Sequence, residues 1–147
     1  TRNVHDYIGY NSRLDEIQAA VLLTKLKRIK DFDRKRNNIA DQYKTSIVNN
    51  KVKLPYQSKE THHVYNQFTI CVKNRKKFSK YLENKGIPYG IYYPTPIYKQ
   101  KALKIFKYKC SLKNTEKITK ECISLPMYPE LKQKAIKYII ETINNYK

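Results

Sequence analysis

The sequence predicts an α+β fold in which a long helical arm is followed by a small antiparallel sheet covered by helices. Glycine and proline are absent between Gly9 and Pro55, so a long uninterrupted helix can form there. Beyond residue 50, apolar residues alternate between the two-residue period of strands and the 3.6-residue period of helices. The 147 residues correspond to about one domain, and 40% of them are hydrophobic, which is enough to bury a core.

The helical arm is predicted over residues 13 to about 48. Ser12 is suited to cap its N-terminus, with Asp15 inside the first turn, where an acidic side chain interacts favourably with the helix dipole. Two neighbouring apolar stripes on the first half predict a helix that is buried on more than one side. The stripes consist of Leu14, Ile17 and Val21 and of Leu22, Leu26 and Ile29. A bend is expected near Lys30–Asp33, and Asn49-Asn50 is expected to end the arm.

The remainder of the chain is predicted to alternate strands and helices, from its apolar spacing and its Gly and Pro stops. In chain order these are a strand at 66–73, a helix at 76–85, a strand at 87–93, a helix at 115–122, a strand or a buried loop at 123–126, and a helix at 130–145. Phe68, Ile70 and Val72 are expected to share the core face of the first strand. Gly86 is expected to end the first of these helices.

The chain carries 31 Lys and Arg against 12 Asp and Glu, a formal net charge of +19. The excess is spread along the sequence and is mostly Lys, whereas specific nucleic-acid sites favour the planar fork of Arg. This favours a solvated Lys-rich surface over a nucleic-acid-binding patch. The best local candidate for such a patch is the cluster Lys73, Arg75, Lys76, Lys77 and Lys80. No apolar run approaches the roughly 20 residues of a membrane span, and the first residues lack a signal-peptide pattern. We therefore expect a cytoplasmic protein.

Self-contained catalytic motifs are missing from the sequence. Glycine occurs at only three positions, so there is no glycine-rich phosphate loop, and no Ser lies in a Gly-x-Ser-x-Gly turn. The three Cys lack Cys-x-x-Cys spacing and the three His lack metal-site spacing, which argues against a disulfide framework and a metal site. The sequence therefore assigns no catalytic residue and no metal ligand, and indicates a contributor to a site rather than a complete site.

Two segments carry groups suited to a ligand. At the entry to the arm, the free N–H groups of a helix N-terminus, the amide of Asn11 and the guanidinium of Arg13 would suit a phosphate or carboxylate. Helix capping by Asn11 and Ser12, with Arg13 on the surface, explains the same residues. At residues 89–100, tyrosines followed by two prolines would form a rigid aromatic surface for a flat or sugar-like ligand. Ordinary strand packing explains these residues at least as well.

The sugar aminotransferases of the DegT/DnrJ/StrS family have a signature that residues 9–20, GYNSRLDEIQAA, closely resemble. Further blocks that resemble the family follow in the family's order and extend the resemblance over nearly the whole chain. These blocks are residues 64–68, 82–87, 92–96 and 123–129. The chain departs from the family pattern at Asn66 and Tyr92, where His is common.

The resemblance implies the C-terminal portion of a fold-type-I aminotransferase that depends on pyridoxal 5'-phosphate. Residues 1–12 would end the large cofactor-binding domain, residues 13–48 would form the arm between domains, and residues 49–147 would form the small domain. Such an enzyme moves an amino group from glutamate to a nucleotide-linked keto-sugar for surface polysaccharide or glycan biosynthesis. Its Schiff-base lysine would lie upstream, so the fragment alone is expected to be inactive.

The resemblance also implies a homodimer with cross-subunit active sites. Asn11 matches a residue that reaches the phosphate of the neighbouring subunit's cofactor. Arg13, Tyr92 and Tyr93 match positions that contact substrate, and the Tyr at position 92 leaves the identity of the sugar open. The alternative, from the residues alone, is a Lys-rich nucleic-acid-binding or structural module without catalysis.

Overall fold

Five α-helices, two short 3₁₀ helices and a three-stranded sheet form the part of the chain that the computed structural model describes, residues 4–10, 14–107 and 110–147. The α-helices are α1 (Glu16–Leu26), α2 (Ile29–Ser46), α3 (Arg75–Asn84), α4 (Lys113–Glu121) and α5 (Gln133–Asn144). The strands are β1 (Val52–Lys53), β2 (Phe68–Val72) and β3 (Cys122–Leu125), and the 3₁₀ helices are Ile97–Lys99 and Lys101–Phe106. The predicted α+β fold is confirmed.

Two helices, not one, form the arm. Asp15 caps α1, because its carboxylate accepts a 2.7 Å hydrogen bond from a backbone N–H of the first turn. The expected cap, Ser12, lies outside the described residues, and the prediction that it caps the helix is wrong. The break falls at Lys27–Arg28 rather than near Lys30–Asp33. Ion pairs from Asp31 to basic residues one turn later, at 2.7 and 2.9 Å, stabilise the first turn of α2 and keep it helical there.

The apolar stripes of α1 are exposed to solvent. None of the residues of α1 is buried, and Ile17 and Leu23 are 80% and 65% exposed. The expectation of a helix buried on more than one side is therefore wrong for this chain, because the described elements leave these side chains largely uncovered. α2 differs from α1, since it buries Ile39, Ala40 and Tyr43 in the core.

The sheet is antiparallel, with β2 between β1 and β3. Phe68 at the start of β2 lies opposite Leu125 at the end of β3. The predicted alternation in β2 is confirmed, since alternate residues are buried on one face: Phe68, Ile70 and Val72. The segment that the sequence left as a strand or a buried loop is strand β3, and all four of its residues are buried.

Helices cover the sheet, as the fold class predicted. On one face, α2, α3 and α5 surround the core, and they contribute Tyr43, Phe78, Leu82, Ile136, Ile139 and Ile143 among others. On the other face, α4 lies against β2, where Ile118 and Cys71 line the same recess. Gly86, which ends α3, has a φ of 67°, as its predicted role as a helix stop requires.

The predicted strand at 87–93 does not form. Only Gly90 pairs with the sheet, in a single bridge to Ser124. Pro88 has no N–H to donate to a ladder, so the segment crosses the edge of the sheet as a loop instead of extending it. This loop is important for the site described below.

Several helix ends also differ from those predicted. The arm ends at Ser46, before Asn49, and α4 begins at Lys113 rather than at Thr115. α5 begins at Gln133 rather than near Glu130. None of the helices in the described ranges combines the length and apolar character needed to cross a bilayer.

Candidate functional site

A cleft of about 330 Å³ opens where the start of β2, the end of β3 and the loop after α3 meet. Its walls are Asn66, Gln67, Pro88, Tyr89, Gly90, Tyr92 and residues 124–128. The antiparallel register explains why these segments converge. Phe68 pairs with Leu125, so the residues just before β2 and just after β3 leave the sheet at the same end.

Backbone hydrogen bonds hold the loop after α3, which forms one wall of the cleft, against β3. Gly90 donates its N–H to the carbonyl of Ser124 at 3.0 Å, and Ser124 donates its N–H to the carbonyl of Gly90 at 2.7 Å. The Ser124 hydroxyl, which is buried, lies 2.8 Å from the Thr69 hydroxyl across the sheet. The loop after α3 is therefore held rigidly against β3.

The ring of Tyr92 folds back over Gly90. A side-chain carbon at position 90 would lie only 2.7 Å from Cζ and 2.8 Å from the hydroxyl oxygen of Tyr92. Only glycine leaves room for this arrangement. The Tyr92–Tyr93 peptide is cis, and the two rings meet edge to face with their centroids 5.9 Å apart.

A buried tyrosine supports the floor of the cleft from the arm. Tyr43 of α2 donates its hydroxyl to the carbonyl of Pro126 at 3.0 Å, and its ring packs on Phe68 with centroids 5.0 Å apart. Burial raises the pKa of the Tyr43 hydroxyl well above its usual range, so the group stays protonated and remains a donor. The arm thereby positions the residues that follow β3.

The polar groups that line the cleft are neutral. Asn66 and Gln67 present amides, and Tyr92 and Tyr128 present hydroxyls. None of the four side chains forms a hydrogen bond with another residue of the described ranges. Such groups suit hydroxyl and carbonyl partners. No lysine or arginine is among the described residues that line the cleft, so its donor set does not fit the phosphate of a cofactor.

The predicted anion site at the start of the arm is not formed by the described residues. Asn11 and Arg13 lie outside the described ranges, so the structure gives no position for either side chain. The N-terminus of α1 itself is capped by the Asp15 carboxylate and followed by the acidic Glu16. Two carboxylates at this helix start disfavour an anion at the N-terminus of α1. A phosphate contact from Asn11 and Arg13 stays a prediction from the sequence.

A larger groove, about 840 Å³, runs beside α1. It is lined mainly by apolar side chains of the arm, including Leu22, Leu26 and Phe32. It brings together too few polar groups to orient a ligand, so its composition fits a packing surface rather than a reaction site.

The structure separates the two tyrosines that the sequence singled out. Tyr92 lines the cleft, whereas Tyr93 stands outside it and is 62% exposed. Sequence reasoning missed Gly90 and Tyr128. A signal for Gly90 was available, because it is one of only three glycines and directly follows Tyr89 in the aromatic segment. Tyr128 lies in the family-like block at residues 123–129 but was assigned no role, because only the register of β3 brings it to the cleft.

Two residues of the basic cluster that the sequence offered as a nucleic-acid patch, Arg75 and Lys77, donate hydrogen bonds within the protein. Arg75 donates to the carbonyls of Thr119 and Cys122, which ties α3 to the end of α4. Lys77 donates to the carbonyl of Lys147 at 3.3 Å.

The fold of this chain is similar to that of known aminotransferases. The structure of S. venezuelae DesV in complex with a ketimine intermediate superposes with a TM-score of 0.84 and 27% identity, over 98% of this chain and 39% of that chain. The dTDP-3-amino-3,6-dideoxy-α-D-galactopyranose transaminase of Aneurinibacillus thermoaerophilus is 37% identical over 94% of this chain. A UDP-N-acetyl-3-dehydro-α-D-glucosamine 3-aminotransferase of Acidithiobacillus ferrooxidans is 34% identical over 95% of this chain.

The chain belongs to the DegT/DnrJ/EryC1/StrS aminotransferase family, whose model matches residues 1–144. It spans only 38% and 37% of the length of the two transaminases. The resemblance stated from residues 9–20 and the later blocks is thereby confirmed.

Proposed function

We propose that the chain is the C-terminal portion of an enzyme that transfers an amino group from glutamate to a nucleotide-linked keto-sugar, in polysaccharide or glycan biosynthesis. The observation that carries this proposal is the fold likeness, over nearly the whole chain, to a structure that holds a ketimine intermediate. The names of the two transaminases, which specify dTDP- and UDP-linked sugars, support the substrate class. The neutral amides and hydroxyls of the cleft are suited to sugar hydroxyls.

In this proposal the chain supplies parts of three regions of the whole enzyme. Residues 1–12 end the large domain, residues 13–48 form the arm, and residues 49–147 form the small domain. The exposed stripes of α1 and the groove beside it support this division, because a large domain would cover such an apolar surface. The lysine that forms the Schiff base belongs to the large domain, so the chain alone is expected to be inactive.

The whole enzyme is proposed to use pyridoxal 5'-phosphate, which supplies the electron sink for amino transfer. The neutral cleft does not fit the cofactor phosphate, so the phosphate contact from this chain is assigned to the amide of Asn11, reaching into the neighbouring subunit of a cytoplasmic homodimer. Arg13, Tyr92 and Tyr93 are proposed to contact substrate. The position of Tyr92 in the cleft supports this role. The exposed ring of Tyr93, the next residue, supports it for Tyr93.

The cofactor role of Asn11 is tested in the whole enzyme by Asn11→Ala. We expect weaker cofactor binding, because one hydrogen bond to the phosphate is lost. The measurement is a titration of the apoenzyme with pyridoxal 5'-phosphate, followed by absorbance. Asn114→Ala, an exposed position on α4, is the matched control and should leave the affinity unchanged. Equal affinities for Asn11→Ala and wild type would refute the assignment.

A second experiment tests whether Asn11 acts across the dimer. The Asn11→Ala protein is mixed with a variant that lacks the Schiff-base lysine, and subunits are allowed to exchange. If Asn11 acts in the neighbouring subunit, each heterodimer contains one intact site and activity returns in the mixture. If both residues act within one subunit, neither site of the heterodimer is intact, and an inactive mixture would contradict the cross-subunit arrangement.

A further inference from the structure

Two of the three cysteines face each other across the sheet. Cys71 of β2 lies directly opposite Cys122 of β3, and both are free thiols. Their side chains project from the same face as the Thr69–Ser124 pair, two residues along the ladder. Cys110 is exposed and lies outside the strands.

The hydrogen bonding of β3 shows which kind of cross-strand pair the cysteines form. Ser124 exchanges both of its backbone hydrogen bonds with Gly90, so its N–H and carbonyl point away from β2. Ser124 and Thr69 are therefore a non-hydrogen-bonded pair. Because the two kinds of pair alternate along an antiparallel ladder, Cys122 and Cys71 are also a non-hydrogen-bonded pair. The Cys122 N–H agrees with this, since it bonds to Ile118 of α4 and not to β2.

Non-hydrogen-bonded pairs bring opposite residues closest together. Their Cα atoms are about 4.5 Å apart, and disulfides span Cα distances of about 4.4–6.8 Å. The neighbouring pair shows that side chains on this face do meet, because the Thr69 and Ser124 hydroxyl oxygens are 2.8 Å apart. The Cα spacing of such a pair falls within the range that a disulfide spans, so a disulfide between Cys71 and Cys122 is compatible with this strand register.

Exposure sets the order in which the two thiols would react. Cys122 is 2% exposed, whereas Cys71 is half-buried and can be approached from solvent. Burial raises the pKa of the Cys71 thiol, with the nearby Cys122 as a further cause, so its thiolate is scarce at neutral pH. Reaction at Cys71 is thus expected to be slower than at the exposed Cys110.

We propose that Cys71 and Cys122 form an oxidisable dithiol whose disulfide ties β2 to β3 at the end of the strand pair opposite the cleft. The oxidant is a low-molecular-weight disulfide. The Cys71 thiolate attacks one sulfur of the oxidant, whose S–S bond breaks; the expelled thiolate takes up the proton that Cys71 lost, and a mixed disulfide remains on Cys71. Cys122, as its thiolate, then attacks the Cys71 sulfur and releases the second thiol. Two cysteine thiols are oxidised to one disulfide, and the oxidant is reduced to two thiols.

The test is a peptide map of the wild-type chain after incubation with oxidised glutathione. Remaining thiols are alkylated, and the digest is analysed by mass spectrometry without reduction. We expect a peptide that joins Cys71 to Cys122, with Cys110 as a mixed disulfide, and dithiothreitol should reverse both. The proposal is overturned if Cys71 and Cys122 remain alkylatable while Cys110 is fully oxidised, or if Cys71 carries only glutathione.

Two variants distinguish the Cys71–Cys122 disulfide from other oxidation products of the chain. In Cys110→Ser, oxidation should raise the urea midpoint of unfolding, because the cross-link closes a long loop in the unfolded chain. In Cys110→Ser/Cys122→Ser, the same treatment should leave glutathione on Cys71 and no upward shift. An equal rise of the urea midpoint in both variants would contradict formation of the Cys71–Cys122 disulfide. If the double variant does not fold, the wild-type peptide map decides the question.

Discussion

Gly90→Ala is the substitution that most directly tests the geometry of the cleft. The added methyl group would meet the ring of Tyr92, with Cζ at 2.7 Å and the hydroxyl oxygen at 2.8 Å. Ordinary contact begins near 3.4 Å, and Cε2 of the ring is closer still than Cζ, so the ring has to move by about 1 Å. We therefore expect the substitution to displace Tyr92 from its place in the cleft.

The cost of this displacement follows from what surrounds the ring. Overpacking costs about 1–3 kcal/mol when neighbours cannot move. The colliding atoms are at the end of a side chain, which can rotate, but Tyr93 packs edge-on against the ring and limits that rotation. We expect a destabilisation near the lower limit, about 1 kcal/mol, which lowers the urea midpoint by roughly 0.5 M.

A double-mutant cycle isolates the contact. Gly90→Ala is measured in the wild-type background and in Tyr92→Ala, in which the ring is absent, by urea unfolding followed by circular dichroism. Gly90→Ala should be destabilising in the first background and near neutral in the second. Gly9→Ala is the matched control, because a methyl group there meets nothing within 4 Å, and it should change stability by less than about 0.5 kcal/mol.

An equal cost of Gly90→Ala in both backgrounds would show that the clash does not involve Tyr92. An equal cost of Gly90→Ala and Gly9→Ala in the wild-type background would show that the ring does not lie over position 90.

Three further predictions concern the arm. Tyr43→Phe should destabilise the chain by about 1–3 kcal/mol in urea unfolding, because the Pro126 carbonyl loses its donor; an unchanged midpoint would exclude that hydrogen bond. Hydrogen bonds from Lys35 and Arg34 lower the pKa of the Asp31 carboxyl from its usual 3.8. The ionised carboxylate therefore stabilises the fold above pH 3.8. This stabilisation is lost as the pH falls through the lowered pKa. Asp31→Asn should therefore be less stable than wild type at pH 6 but equally stable near pH 2 (both pH values approximate), and a gap that persists in acid would contradict the ion pairs. Ile17→Ser should change the stability of the chain by under about 0.5 kcal/mol but destabilise the whole enzyme; a neutral result in both would show that the α1 stripe is not a packing surface.

The sequence predicted most of the secondary structure because the signals were local. Alternation from Phe68 to Val72 marked β2, and Gly86 marked the end of α3, where its φ is 67°. The predictions failed where two local signals competed. Asp15 and Ser12 are both good caps, and the tyrosine-rich segment after Ile87 resembles a strand although Pro88 prevents a ladder.

The site was less predictable than the fold. Tyr92 was singled out from its aromatic loop, but Gly90, Tyr128 and the supporting hydroxyl of Tyr43 were not. Tyr43 donates to a carbonyl 83 residues away in sequence, a separation at which a pattern of side chains carries no signal. The same holds for the facing cysteines, which lie 51 positions apart and become neighbours only through the register of the sheet.

The amino-acid sequence by itself determined the family, through the block at residues 9–20, and the order of helices and strands, through apolar periodicity. Both depend on residues close together along the chain, where spacing translates directly into a turn of helix or a face of a strand. Only the tertiary structure decided which surfaces were covered and which side chains met. The stripes on α1 have the spacing of a buried helix, yet they are exposed because burial depends on what packs above them. The cleft, likewise, exists because an antiparallel register brings distant segments to one end of the sheet.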